Sequence, residues 1–154
     1  MIRLESVLTP ARAIVSAPGG SKKRVLEYIA NVVAKDVPEL DAQELFEALI
    51  NRERLGSTGF GNGIALPHCR LSGLKTPISA VLHLAQPIDF DAMDSLPVDL
   101  LFVLVVPEQA TDAHLELLRQ VASVLEHEHT RAKLRAAPDS LTLYEAIISA
   151  QHQA

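Results

Sequence analysis

Two stretches and one arginine carry residues whose types and spacing could do chemistry. The first stretch runs Gly56-Ser57-Thr58-Gly59-Phe60-Gly61-Asn62-Gly63-Ile64-Ala65-Leu66-Pro67-His68. Four glycines in eight residues weaken a helix or a strand, so the backbone itself must be needed there. Ile64-Ala65-Leu66 can then pair as a short strand. Pro67 fixes its own φ, removes a backbone donor and pushes Leu66 toward an extended conformation. His68 is thereby presented where the strand stops, and an imidazole held there can be a nucleophile, a proton shuttle or a metal ligand. The plainer reading is a hydrogen-bonded structural histidine. The second stretch begins at Thr111. With Thr111 as N-cap, His114 occupies N3 and lies on one face with Leu118, Val121 and Leu125. It should point inward at a helix start, where free N–H groups and the dipole favour an anion such as a phosphoryl group. Arg52 falls in the last turn of a helix closed by Gly56. Its plainer role is to partner the helix C-terminus.

Arg52-Glu53 followed by Gly-Ser-Thr-Gly-x-Gly-Asn-Gly-Ile-Ala-x-Pro-His resembles the phosphorylation-site signature of enzyme IIA proteins of the bacterial phosphotransferase system. Within the fructose/mannitol class it is most similar to the nitrogen-regulatory branch. The likeness is close over residues 52–68, and the order of elements fits over nearly the whole chain. Cys69 departs from the pattern, which has a small residue there, often glycine. The resemblance implies an α/β architecture, a mixed sheet flanked by helices, over one domain spanning 1–154 with a core of about 5–149. It further implies that His68 accepts a phosphoryl group from a phosphorylated histidine on a small carrier protein. His114 stands where the family has its second histidine, and would donate to the phosphoryl group or hold the tautomer of His68. Arg52 would clamp the oxygens. Thr58, Gly59, Gly61, Asn62, Gly63 and Pro67 would shape the loop, with Thr58 and Asn62 also able to contact oxygens. No cofactor, metal or nucleotide is required, because the group moves between two histidines of similar leaving ability. The output would be regulatory, toward targets such as potassium transport or sensor-kinase proteins. A sugar-specific enzyme IIA serving a separate IIB subunit, and a binding module of the same fold that takes no phosphate, are the competing readings.

Other candidates are weaker. The glycine run is not a P-loop, since Ile64 stands where Lys and Ser/Thr should follow, and it misses the last glycine of the dinucleotide fingerprint. Without His68 it would read as a bulge at a sheet edge. His127 and His129 suggest a metal pair, but i,i+2 residues on a helix point apart, so a solvated helix end is expected. Asp89, Asp91 and Asp94 lack the glycine and terminal glutamate of a calcium loop and read as a polar turn. His83 sits in an apolar strand as a packed or edge residue. Lys22-Lys23-Arg24 reads as a solvated first turn.

The elements that must position these groups follow from periodicity and punctuation. After an apolar piece (Leu4, Val7, Leu8), a strand is expected at Arg12–Val15, ended by Pro18-Gly19-Gly20. Ser21 caps a helix with Val25, Leu26, Ile29, Val32 and Val33 inside, stopped by Pro38. Asp41 and Glu44 form a capping-box pattern for a helix burying Leu45, Phe46, Leu49 and Ile50. A strand is expected at Ile78–Ala85 between Pro77 and Pro87. The run Val98–Val106, β-branched and apolar, reads as a central strand covered on both faces. Thr111 opens a helix burying Leu115, Leu118, Val121, Ala122 and Leu125. Pro138 breaks a shorter helix, and Ser140 starts a last one with Leu143, Ala146, Ile147 and Ala150 inside. Helices in groups before and after a block of strands predict three layers, α/β/α.

Composition bounds the function. The chain has 154 residues, enough for one domain with a real core. No apolar run approaches the roughly 20 residues needed to span a bilayer, and Met1-Ile2-Arg3-Leu4-Glu5 lacks the features of a signal peptide. A cytoplasmic location is therefore expected, in accord with a single cysteine. A net charge of −5 argues against nucleic acid as the main partner.

Overall fold

The computed structural model describes residues 2–109 and 111–153. Two 3-10 turns, Leu4–Ser6 and Pro10–Arg12, lead into β1 (Ala13–Ala17), followed by α1 (Lys22–Asp36) and α2 (Ala42–Arg54). Then come β2 (Gly59–Gly61), β3 (Ile64–Ala65), β4 (His68–Leu71), β5 (Ile78–Ile88) and β6 (Val98–Pro107). Three helices close the order: α3 (Asp112–Leu125), α4 (Glu128–Ala136) and α5 (Ser140–His152).

The strands form one mixed sheet in the order β1-β5-β6-β3-β2, with β4 also pairing β6. β6 runs antiparallel to β5 and parallel to both β3 and β4. Ile64 lies opposite Leu100 and His68 opposite Leu104, so β3 and β4 follow one edge of β6 in unbroken register, interrupted only at Leu66-Pro67. That interruption has a cause. Pro67 has no N–H to give, although its carbonyl still accepts from Leu104 N–H at 3.0 Å.

β6 divides the core as its alternation demands. Leu101, Val103 and Val105 join Val25, Leu26, Ile29, Val33, Leu45 and Leu49 under α1 and α2. Leu100, Phe102, Leu104 and Val106 join Leu117, Val121, Leu134, Leu143 and Ile147 under α3, α4 and α5. The expected three layers with a doubly covered central strand are what forms.

Several expectations shift in detail. Arg12 is not the start of a strand. It lies in the second 3-10 turn and is buried, donating to Ser79 O at 2.9 Å and Val7 O at 3.0 Å while pairing with Asp36. β5 runs past Ala85 through Pro87 to Ile88. Pro87 is tolerated because the ladder to β6 breaks between His83 and Ile88, so no bond is lost. Along α3 the inner stripe is Leu117, Val121, Val124 and Leu125, and Leu115 is 38% exposed. The helix is rotated so that Leu115 faces a cavity rather than the core. α5 begins at Ser140 as expected, but its cap is Asp139, which accepts from Thr142 N–H at 2.8 Å. Ser21 and Asp41 cap α1 and α2 as read, accepting from Arg24 N–H and Glu44 N–H.

The glycine run is a hairpin at the sheet edge. β2 and β3 are joined by Asn62 and Gly63, whose φ values of 57° and 80° are the paired positive angles of a type I′ turn. Gly59 is needed for a close approach instead, since a Cβ there would lie 3.0 Å from the Ala92 Cβ.

Candidate functional site

A cavity of about 410 Å³ opens at the β4 edge of the sheet, between α2 on one face and α3 on the other. Arg52, His68, Cys69, Leu104, Leu115 and Leu118 are among its lining residues. Arg52 and His68, sixteen residues apart in sequence, thus meet at one site.

His68 is the first residue of β4 and half-buried. Its Nδ1 lies 2.8 Å from the carbonyl of Leu66. A carbonyl can only accept, so Nδ1 carries the proton in the neutral ring and the Nε2 lone pair is left free. The tautomer of His68 is therefore held by Leu66 and not by His114, one of the two roles foreseen for that residue. Pro67 sets this up. It extends Leu66 and leaves the intervening peptide without an N–H.

His114 occupies N3 of α3, as the spacing predicted, and is partly buried. Its Nδ1 accepts the backbone N–H of Thr111 at 3.1 Å. Here the partner can only donate, so the proton of the neutral ring sits on Nε2. The two histidines thus hold opposite tautomers, each imposed by the backbone. His114 does not line the cavity itself; Leu115, the next residue, does.

Arg52 donates from Nη1 to the carbonyl of Gly56 at 2.9 Å. That carbonyl belongs to the residue just past the C-cap of α2, and the side chain also borders the cavity. Around it the rim is largely apolar, with Asn51 and Arg70 also lining it. Leu55 is 84% exposed, and Leu115, Leu118 and Ala48 continue the patch across the opening. Cys69 pairs with Val105 and packs among the residues under α1 and α2, and burial pushes its thiol up to about 12. It is a small apolar filler beside the site, inert as a thiolate.

The other loop residues lie elsewhere. Gly61, Asn62 and Gly63 are at the end of the hairpin near Asp99, five residues along β6 from Leu104, or about 17 Å. Asn62 gives its N–H to Asp94 Oδ2 at 3.0 Å, and its carbonyl accepts from Arg135 Nη2 at 2.9 Å. It shapes the loop and does not reach the His68 cavity. Thr58 is buried, and both its N–H and its hydroxyl donate to Glu53. Neither residue is placed to contact oxygens at His68.

Glu53 is the residue whose importance the sequence did not convey. It is 7% exposed, on the inner side of the last turn of α2. A glutamate is seldom so buried without partners, but the pattern that flagged Arg52 gave no sign of which way Glu53 points. Lys22 was misread for the same reason. Its ammonium lies 3.2 Å from Glu53 Oε1, 3.4 Å from Asp91 and 4.7 Å above the Phe90 ring, so it is a tethered charge and not a solvated one. His83 makes a 3.2 Å contact with Asp99, which Arg135 grips through Nε and Nη2. His127 and His129 are both exposed, as a solvated helix end predicts, and both border a cleft with Ala150 and Gln153. His127 is the N-cap of α4. Among the described residues no group of three potential metal ligands forms.

Residues 6–150 match the family described as phosphoenolpyruvate-dependent sugar phosphotransferase system, EIIA 2, and the chain belongs to that family. Within it the likeness is to nitrogen regulatory proteins. One from Pseudomonas aeruginosa is 64% identical over 152 residues, covering 99% of each chain. The crystal structure of the nitrogen regulatory protein IIA-Ntr from Neisseria meningitidis superposes with a TM-score of 0.87 at 34% identity, covering 92% of this chain and 97% of that one. IIA mannitol from Escherichia coli, at 14% identity and a TM-score of 0.72 over 90% of this chain and 97% of its own, shares the fold. No helix among the described residues is long and apolar enough to cross a membrane.

Proposed function

We propose that this chain is the phosphocarrier of a nitrogen-related phosphotransferase system, acting in the cytoplasm as one unit over residues 1–154. The observation that carries the reading is the 2.8 Å bond from His68 Nδ1 to Leu66 O, which leaves Nε2 as the nucleophile at a cavity shared with Arg52. In the transfer, the Nε2 lone pair forms a bond to the phosphorus of a phosphohistidine on a small carrier protein. The donor's P–N bond breaks, and its electron pair returns to the donor imidazole. Arg52 offers N–H groups to the equatorial oxygens, and His114 offers Nε2–H. Such help is electrostatic and positional, which suits a transition state with little covalent chemistry for the protein to perform. No metal or nucleotide has to enter.

The carrier docks on the apolar rim of Leu55, Leu115 and Leu118, which surrounds the nucleophile with surface that water-exposed side chains do not otherwise favour. The phosphorylated and unphosphorylated forms then bind different regulatory targets, such as potassium-transport or sensor-kinase proteins. The likeness to nitrogen regulatory proteins supports this output over sugar uptake.

Incubation with enzyme I, the cognate histidine phosphocarrier and phosphoenolpyruvate is expected to leave one acid-labile phosphate per chain. Label retained in His68→Ala would overturn the assignment. A strain lacking the chain should grow normally on fructose and mannitol while its potassium or nitrogen responses change, and loss of uptake of one sugar would instead favour a sugar-specific enzyme IIA.

A further inference from the structure

Glu53 is the charged, buried group that the transfer described above leaves without a task. Its two carboxylate oxygens each take the Thr58 N–H at 3.1 Å, one of them also takes the Thr58 hydroxyl, and Lys22 balances the charge at 3.2 Å. All the hydrogen bonds it accepts from neutral groups thus come from one residue. A carboxylate kept in that setting is held firmly, because releasing it would leave a buried charge without its partners.

The bonds continue from Thr58 toward the site. The Thr58 carbonyl accepts Leu66 N–H at 3.0 Å, and the Leu66 carbonyl accepts His68 Nδ1–H at 2.8 Å. Beyond it, Pro67 O accepts Leu104 N–H at 3.0 Å. Leu66 is therefore pinned from both sides, by Thr58 just before β2 and by β6 through Pro67. The β6 anchor belongs to the middle of the sheet and is rigid. The Thr58 anchor lies on the two-residue passage between Gly56 and Gly59, and the carboxylate of Glu53 is what ties it to α2.

We propose that Glu53 is a positioning residue for His68, fixing the orientation and tautomer of the imidazole through Thr58 and Leu66. No proton travels along the chain, since successive bonds use different peptide groups; what is transmitted is position. With Glu53 in place, the Leu66 carbonyl is aimed at Nδ1 and the neutral ring keeps Nε2 free. Without it, Thr58 loses its tie to α2, the Leu66 carbonyl shifts, and the ring samples the tautomer with its proton on Nε2, which cannot attack phosphorus.

The kinetic part of this rests on phosphoryl acceptance at His68, whereas the tautomer part does not. The test compares wild type, Glu53→Leu, Glu53→Gln and Thr58→Val by ¹⁵N NMR of the imidazole nitrogens of the unphosphorylated protein at a pH where His68 is neutral. Phosphorylation by the phosphocarrier is measured alongside, with circular dichroism and thermal melting as folding controls. Wild type should show Nδ1 protonated. Glu53→Leu should populate the other tautomer and slow transfer about tenfold at an unchanged KM for the carrier, by analogy with losing a partner that orients a metal-ligating histidine. Glu53→Gln can still accept the Thr58 N–H and should recover most of what leucine loses. Should Glu53→Leu fail to fold, Thr58→Val, which removes only the hydroxyl tie, should shift tautomer and rate in the same direction by less. A folded Glu53→Leu with the wild-type tautomer and rate would overturn the proposal. So would a Thr58→Val protein unaltered in both where the leucine variant does not fold. A wild-type chain that takes no phosphate would sink the phosphocarrier reading, and the tautomer comparison would still decide the role of Glu53.

Discussion

His68 and His114 hold opposite neutral tautomers, and the backbone decides which nitrogen carries the proton. Leu66 O forces Nδ1–H on His68 and Thr111 N–H forces Nε2–H on His114, which suits the proposed roles of nucleophile and donor. His114→Ala should leave His68 able to accept phosphate while slowing transfer by roughly 30- to 1000-fold, the equivalent of about 2 to 4 kcal/mol for a lost oriented donor in a transition state. Rates of phosphorylation and dephosphorylation measure this. Because His114 also accepts the Thr111 N–H at the start of α3, the variant should lose about 0.5 to 2 kcal/mol of stability as well, seen as a modest fall in Tm. Unchanged rates with the same fall in Tm would make His114 a cap and nothing more.

Among the elements, the hairpin of β2 and β3 was the hardest to place from sequence and the easiest to explain afterward. Asn62-Gly63 between short apolar runs is a strong hairpin signal, yet the density of glycines around it and the histidine that follows drew the reading toward a functional loop. What the sequence could not show is that Arg135, more than seventy residues away, holds the turn from α4. A Cβ on Gly63 would lie 2.4 Å from Arg135 Nη2 and 3.0 Å from Asp99 Oδ1, on a φ of 80°. Gly63→Ala should therefore destabilise the fold by about 1 to 3 kcal/mol, read as a drop in denaturation midpoint, with His68 phosphorylation retained at temperatures where the variant is folded. Asp94 anchors the same turn. The N–H groups of Asn62 and Leu96 hold its carboxyl below the ordinary 3.8. Since the folded value is depressed, its contribution is complete above about pH 4 and is lost as pH falls through the lowered value. Titration of the Asp94 carboxyl by NMR should give a value below 3.8, and Asp94→Asn should flatten the acid limb of the stability profile in that range. By contrast, α1, α2, β6 and the burial of Leu143 and Ile147 were legible because caps and apolar period agree there. Glu53, Lys22 and Arg12 were not, since a charged side chain in a sequence reads as surface until its partners are known.

At the scale of the molecule, the sheet edge brings the last turn of α2 and the first turn of α3 to either side of His68, and the exposed leucines of those two turns face the same solvent. A partner that reaches Nε2 has to cover them. Leu55→Asp should raise the KM for the phosphocarrier about tenfold or more with little change in Tm, since Leu55 is 84% exposed and contributes little to the core. Saturation kinetics and a melting curve on the same preparation separate the two effects. An unchanged KM would place the docking surface elsewhere. The most direct test of the whole account is the position of the phosphoryl group on the ring. With uniformly ¹⁵N-labelled protein phosphorylated through the carrier, the imidazole nitrogens of His68 should show ³¹P coupling at Nε2, with Nδ1 still protonated against Leu66. Phosphate on Nδ1, or on His114, would contradict it.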